Sequence, residues 1–215
     1  MKTLERLVLG HLRPIVAPSM DPLQFAYQPA IGVDDAVIYL LQRSLSHLEK
    51  PGGGTVRIMF FDFSSAFNTI QPPLLGDKLQ LSGVDHHLTT WILVYLTNRP
   101  QYLRTRECQS DTIVSSTGAP QGTVLAPFLF TLSTADFTHN TATCQLQKFS
   151  DISAIVGLIT NEDDREYREL TQDFILWCQR NHLQLNAGKT KELVVVFRRC
   201  QHSPPNTSEH PGSGH

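Results

Sequence analysis

Apolar residues recur at helical spacing near the start of the chain. In TLERLVLGHL, Leu4, Leu7 and Leu12 share one side, and Pro14 is expected to end that helix. Residues 15–33 are rich in Pro and Gly and read as loop. In DDAVIYLLQRSLSHLEK the apolar positions 37, 38, 41, 45 and 48 form a second helical stripe, with Asp34 placed to cap it and PGGG at 51–54 to close it. The pattern then changes. TVRIMFFDF is a short run of branched and aromatic residues bounded by glycines, which predicts a buried strand with Asp62 near its end.

Further along, DHHLTTWILVYLTNR from Asp85 predicts a capped helix, and QYLRTRE with DTIVSS predicts a hairpin. GAPQGTV reads as a turn into a helical LAPFLFTLSTADF, despite Pro127. Two apolar arms flank Asp151 in LQKFSDISAIVG, as in a hairpin with an acid at its tip. A long helix follows in EDDREYRELTQDFILWCQRNH, with Leu170, Phe174, Trp177 and Cys178 on one side, and KELVVVFRR is the last strand candidate. The remainder, residues 200–215, is polar and apolar-poor, which predicts a disordered tail. No internal repeat is evident. The elements alternate without the short period of a doubly wound parallel sheet, so the expected class is α+β, a small antiparallel sheet with helices on one face.

Composition narrows the function classes. At 215 residues, 40% hydrophobic and 18% charged, the chain suits one globular domain and fits neither a disordered nor a membrane protein. The longest apolar run, VLAPFLFTL, is broken by Pro127 and is far shorter than the ~20 residues of a membrane helix. MKTLERLVLG does not read as a secretory signal, so an intracellular location, cytoplasmic or nuclear, is expected. The four cysteines form no C-x-x-C pair and the nine histidines no H-x-x-x-H spacing, which argues against zinc and a disulfide framework. A net charge of −2 and a pI near 6.5 are not the global signature of a nucleic-acid binder. Local basic groups do occur, at Lys189, Lys191, Arg198 and Arg199 and at Arg104 and Arg106, although groups of this size are usually solvated faces.

Two acids stand out, Asp62 in an apolar strand and Asp151 in a hairpin, because an acid in such a place needs a reason. Each alone is most simply a solvated strand end. Together, on neighbouring strands, they could share a divalent cation, which takes hard oxygen ligands and substrate phosphates. Two such ions about 4 Å apart serve in-line phosphoryl transfer, so nucleotidyl transfer is the leading chemistry. The GKT of NAGKT at 186–190 is a decoy, since a phosphate-binding loop needs glycine at position 183, which is Leu183.

FFDFSSAFNTI at 60–70, GAPQGTVLAPFLF at 118–130, KFSDISAIVG at 148–157 and LNAGKTKELVV at 185–195 resemble, in order and spacing, the palm motifs of a reverse transcriptase, most of all those of non-LTR (LINE-like) retrotransposons. The resemblance runs from Met1 to about Arg199. It implies a reverse-transcriptase-like palm: a small antiparallel sheet packed by helices, with part of the fingers and no thumb over residues 1–199. By the same resemblance Asp62 and Asp151 are catalytic, metal-binding acids for Mg²⁺ or Mn²⁺. Phe67 would lie under the incoming sugar, with core packing as its other role. Gln121 and Gly122 would lie along the template and nascent base pair, where glycine permits close backbone approach, or form a simple turn. Lys189 would sit near the triphosphate as a proton donor to pyrophosphate, or be a solvated lysine.

The hairpin motif of this family reads aromatic, any residue, Asp, Asp. Phe149, Ser150 and Asp151 match it, and Ile152 stands where the second Asp is expected. Isoleucine offers no oxygen to a metal, and two metal charges would have less compensating negative charge. The resemblance therefore implies RNA template, DNA primer and deoxynucleoside triphosphate as partners, with polymerase activity reduced or lost. A noncatalytic nucleic-acid-binding remnant, or a retroelement product without selected function, is the alternative. The oligomeric state is left open.

Overall fold

An apolar strand such as TVRIMFF needs partners on both sides, and the chain supplies them from distant segments. The computed structural model describes residues 2–50 and 54–197. In chain order the elements are α1 (Lys2–Val16), α2 (Val33–Leu48), β1 (Thr55–Asp62), α3 (Pro72–Leu81), α4 (His86–Leu96), β2 (Arg99–Gln101), β3 (Ile113–Ser115), α5 (Leu125–Ser133), β4 (Cys144–Phe149), β5 (Ile152–Ile159), α6 (Arg165–Arg180) and β6 (Lys191–Val196). Short 3₁₀ turns lie at Ala17–Ser19 and Ala66–Asn68. Four strands form one antiparallel sheet in the order β4-β5-β1-β6, and β2 pairs with β3 separately.

Strand pleating divides the sheet into two faces. Phe61, Leu146, Ile155 and Ile159 join the main core with Leu12, Leu79, Ile92, Phe130 and Phe174 from the helices. Val56, Ile58, Ala154, Val156 and Leu158 point the other way into a smaller core under α2, with Leu40 and Leu48. Helices thus cover both faces, whereas one covered face was expected. The small antiparallel sheet packed by helices is as the sequence implies.

Several local expectations are corrected. Helix α1 runs through Pro14 to Val16, because fully buried Leu12 and Val16 hold its last turn on the core. At the start of α2 Asp34 is not the cap; the Gly32 amide donates instead to Asp35 Oδ2 at 2.7 Å. Most of the apolar stripe of α2 is also turned outward: Val37, Ile38, Leu41 and Leu45 are exposed, while Leu48 is buried as expected. The helix docks by Ala36, Leu40, Ser44, His47 and Leu48, because β4 turns Gln145 and Gln147 toward it. Gln147 Nε2 donates to the Ala36 carbonyl at 2.7 Å, and the Arg43 guanidinium to Gln145 Oε1 at 3.2 Å. Helix α4 follows its expected cap, with Asp85 Oδ1 accepting from His87 and Leu88. The hairpin strands are shorter than QYLRTRE and DTIVSS, and helix α5 stops at Ser133. The closing PGGG lies mainly outside the described residues, as does the tail expected at 200–215.

Candidate active site

Asp62 ends β1, after the apolar run that threads the sheet, so its backbone is fixed while its side chain emerges at the strand end, 22% exposed. The loop after α6 secures this end. Asn186 N–H donates to the Asp62 carbonyl at 2.8 Å, Ser64 N–H to the Gln184 carbonyl at 2.8 Å, and Phe63 bridges to Leu185. The same loop turns on Asn186, whose carbonyl accepts from Lys189 and Thr190 N–H. That turn brings Lys189 Nζ to 3.2 Å from Asp62 Oδ2. Lys189 itself is 70% exposed, so the pair sits at the protein surface.

Antiparallel pairing sets Asp62 directly opposite Ile152 and Phe149 opposite Ile152 on the other side. Ser150 and Asp151 form the two-residue turn between them, with Ser150 at φ 57°. Positive φ at the first central residue matches the twist of a tight hairpin, although serine adopts it at some cost. Asp151 is half-buried, one residue from the cross-strand partner of Asp62, at the same end of the sheet. Ile152 is 46% exposed. Its side chain shares the α2 face with Asp62 and lines an apolar groove of about 350 Å³ together with Val37, Leu41, Phe60, Phe149 and Ala154.

Phe67 and the PQG turn are joined to one another. The Phe67 ring lies 5.1 Å from that of Phe130, so the side chain is packed on the main core. Its carbonyl accepts from Ala119 N–H at 2.8 Å, and the Ile70 carbonyl from Gly118 N–H at 2.7 Å. A Cβ on Gly118 would stand 2.6 Å from Asn68 Cα, and φ is +71° there, so only glycine allows this contact. Gln121 and Gly122 are exposed beyond it, with Gly122 at φ +75° and open space where a side chain would be. Arg99 ties the loop down from β2, donating to the Thr117 and Gly118 carbonyls at 2.7 and 3.0 Å. Burial against this loop holds the Arg99 pKa below its usual value.

The donor set bears on what cation could bind. Among the described residues no group of three or more His, Cys, Asp or Glu side chains could hold a metal. Two acids at one sheet end fit a Mg²⁺-like ion that keeps waters and substrate phosphates as its other ligands, not a resident metal cage. The sequence reading missed Asn186, which fixes Asp62 and turns Lys189 toward it, and Arg99. Asn at the head of Asn-Ala-Gly-Lys-Thr is a local turn signal that could have marked the first. Nothing local marks the second.

Known proteins give the arrangement its context. Residues 1–208 match the family model described as reverse transcriptase (RNA-dependent DNA polymerase). The chain is 26% identical over 213 residues to the RNA-directed DNA polymerase from mobile element jockey of Drosophila funebris, covering 93% of this chain and 23% of that protein. It is 31% identical over 201 residues to the probable RNA-directed DNA polymerase from transposon BS of Drosophila melanogaster, covering 88% of this chain and 22% of that protein. The chain therefore spans less than a quarter of the length of these relatives. In fold it is similar to apo telomerase from Candida tropicalis truncated from its C-terminal domain, with TM-score 0.61 and 14% identity over 90% of this chain and 40% of that one. Telomerase from Candida albicans, solved with a fragment of telomeric RNA, gives TM-score 0.61 and 13% identity over 95% and 34% of the two chains. With the four motifs in order and a family match over nearly its whole length, this chain belongs to the reverse transcriptase family.

Proposed function

We propose that residues 1–199 form the palm and part of the fingers of an RNA-directed DNA polymerase of a non-LTR retrotransposon. Its substrates in that reading are an RNA template, a DNA primer and deoxynucleoside triphosphates, with Mg²⁺ or Mn²⁺ held by Asp62 and Asp151. The observation that carries it is the register that sets Asp62 opposite Ile152, the residue after Asp151, with Lys189 on Asp62. A divalent ion, when bound there, supplies activation of the primer hydroxyl and neutralises charge on the phosphates. The chain's own residues do the remainder. Asp62 and Asp151 supply the carboxylates, and Lys189, on an exposed stem, delivers a proton to the departing pyrophosphate. Phe67 limits space beneath the incoming sugar, and the open turn at Gln121 and Gly122 lets a base pair approach the backbone.

Ile152 weakens this machinery in the proposed reading, because it replaces a charged oxygen ligand by an alkyl group at the position facing Asp62. Loss of one such charge-stabilising group is expected to lower transfer at least about a hundredfold. The test is primer extension on an RNA template with Mg²⁺ or Mn²⁺, comparing the native chain, Asp62→Ala and Ile152→Asp. Extension by Ile152→Asp but not by the native chain supports the proposal. Extension by the native chain that survives in Asp62→Ala would refute it.

Ile152 also favours a second reading, a nucleic-acid-binding remnant without chemistry. Backbone affinity comes mainly from Lys and Arg contacts and falls steeply with salt. Binding of a primer–template that weakens steeply from 50 to 200 mM salt (roughly tenfold or more for a few phosphate contacts), without extension by any variant, would favour it.

A further inference from the structure

The hairpin that carries Asp151 is not held by its own ladder alone. Beyond the Phe149–Ile152 pair it has no further rung, and the Ser150 N–H has no partner within the sheet. A segment more than a hundred residues upstream supplies one. Gln24, itself buried, accepts from Ser150 N–H through Oε1 at 3.1 Å and from Ala26 N–H at 3.0 Å. The Tyr27 hydroxyl lies 2.8 Å from Ser150 Oγ. Leu23 and Phe25 extend the contact along β4, the Leu23 carbonyl accepting from Lys148 N–H at 2.9 Å and Phe25 N–H donating to the Lys148 carbonyl at 2.9 Å.

The foot of this segment is anchored in the core. Lys148 Nζ, 2% exposed, meets Asp21 Oδ2 at 2.7 Å and donates to the Thr134 and Phe137 carbonyls, each at 2.6 Å. Two carbonyl acceptors and a paired carboxylate surround the ammonium, which is the condition for keeping such a charge buried. Asp21 Oδ1 in turn accepts from Leu23 N–H at 2.9 Å. Both contact residues at the tip are backbone-strained, Tyr27 at φ 60° and Ser150 at φ 57°. Strain of that kind persists where surrounding contacts over-determine the conformation.

We propose that residues 21–27 act as a clamp that sets the orientation of Asp151, with Gln24 and Tyr27 as its positioning residues. The proposal rests on the reading of Asp151 as a metal ligand. A two-residue turn has few internal constraints, and a carboxylate contributes to a cation site only if held close to the productive geometry. Gln24 fixes the backbone one residue before Asp151, and Tyr27 fixes the side chain of that same residue.

Hydrogen exchange of the Ser150 amide reads the clamp without any metal. Gln24→Met, which removes the acceptor, should raise its exchange rate about tenfold, the size of one lost hydrogen bond. Gln24→Glu, which keeps an oxygen there, should retain the protection, and circular dichroism shows whether each variant is folded. Mn²⁺ binding in the presence of a deoxynucleoside triphosphate, followed by electron paramagnetic resonance, then reads the positioning. It should weaken several-fold in Gln24→Met and Tyr27→Phe, and at least as much in Asp151→Asn. Unchanged Ser150 exchange in folded Gln24→Met overturns the clamp. Faster exchange with unchanged Mn²⁺ affinity, while Asp151→Asn loses affinity, overturns its positioning role. If Asp151→Asn binds Mn²⁺ normally, the ligand reading of Asp151 fails instead, and the exchange data still decide whether the clamp holds the turn.

Discussion

In the proposed reading Asp62 meets two competing kinds of partner. Lys189 Nζ lies 3.2 Å from its Oδ2, and a divalent ion held by Asp62 would compete for that carboxylate. A pair this exposed contributes only ~0.2–1 kcal/mol, so Lys189→Ala should leave thermal stability nearly unchanged. It should nevertheless tighten Mn²⁺ binding about threefold, because the cation no longer displaces an ammonium of like charge. Titration of Mn²⁺ against both proteins checks this, and weaker binding by the variant would show that Lys189 helps to build the site instead of competing for it. At this scale Asp62 was legible in the sequence because an acid interrupts an apolar strand. Ile152 became informative only beside a family pattern, since an isoleucine at the start of an apolar arm is otherwise unremarked. Gln24 was not legible at all: its partner Ser150 is 126 positions away, and a glutamine in a Pro-rich loop carries no periodic or capping signal.

Between elements, the decisive contacts are likewise made across long stretches of chain. Helix α5 begins just after the PQG turn on Val124, which has no capping side chain; Thr123 Oγ1 accepts from Ala126 N–H at 3.3 Å, and Glu5 of α1 takes the two amides before it. Glu5 is 1% exposed, and its Oε2 accepts from Val124 N–H at 2.6 Å and Leu125 N–H at 3.4 Å. A carboxylate at a helix N-terminus gains from the amides and from the dipole together. Glu5→Ala should cost about 2–3 kcal/mol in urea unfolding, because both amides lose a charged acceptor in a buried place, and Glu5→Gln should cost less. Equal losses for the two variants would mean that packing volume matters here and the cap does not. Gly118→Ala should be at least as damaging, about 2–4 kcal/mol, since a new Cβ meets the Asn68 backbone and the residue is left at positive φ. The sequence announced β1, α4, α6 and the hairpin arms through periodicity and caps. It did not announce α3, which opens on Pro-Pro and mixes apolar and polar positions, nor the orientation of α2. There the conspicuous stripe Val37, Ile38, Leu41, Leu45 is exposed, and Ala36, Ser44 and His47 face the sheet together with Leu40 and Leu48. Helical periodicity identifies a helix; which side docks depends on what the opposing strands present, here Gln145 and Gln147.

Across the whole molecule, the palm sheet depends on an edge. Among the described residues strand β6 pairs only with β1, and the loop that holds Asn186 and Lys189 against Asp62 leads directly into it. A polar network reinforces that edge. Arg57 of β1 grips Glu192 of β6 through two bonds of 2.9 and 3.1 Å, reaches Asp164 at 2.6 Å, and stacks its guanidinium 5.4 Å from the Tyr167 ring centre. The Tyr167 hydroxyl donates to Glu192 at 2.7 Å, so α6, β1 and β6 converge on one carboxylate. The Arg57 hydrogen bond, ahead of the other causes, holds the Glu192 pKa below its ordinary value of 4.5. A carboxylate with a lowered folded-state pKa contributes stability that is fully present above its unfolded value and disappears as pH falls through the folded one. Thermal stability should therefore hold through neutral pH and decline below pH 4.5, as Glu192 takes up a proton and releases Arg57. Glu192→Gln should start from lower stability at pH 7 and show a shallower decline toward pH 3, measured by thermal unfolding at a series of pH values. Because β6 and the Lys189 loop are continuous, the same acid range should free Lys189 from Asp62 before the main core unfolds. Hydrogen exchange of the β6 amides against those of β5 would resolve that order. Faster opening of β6 in acid supports a separable edge, whereas simultaneous loss of protection in both strands would mean that the sheet fails as one unit and that the network stabilises the domain without controlling access to the acids.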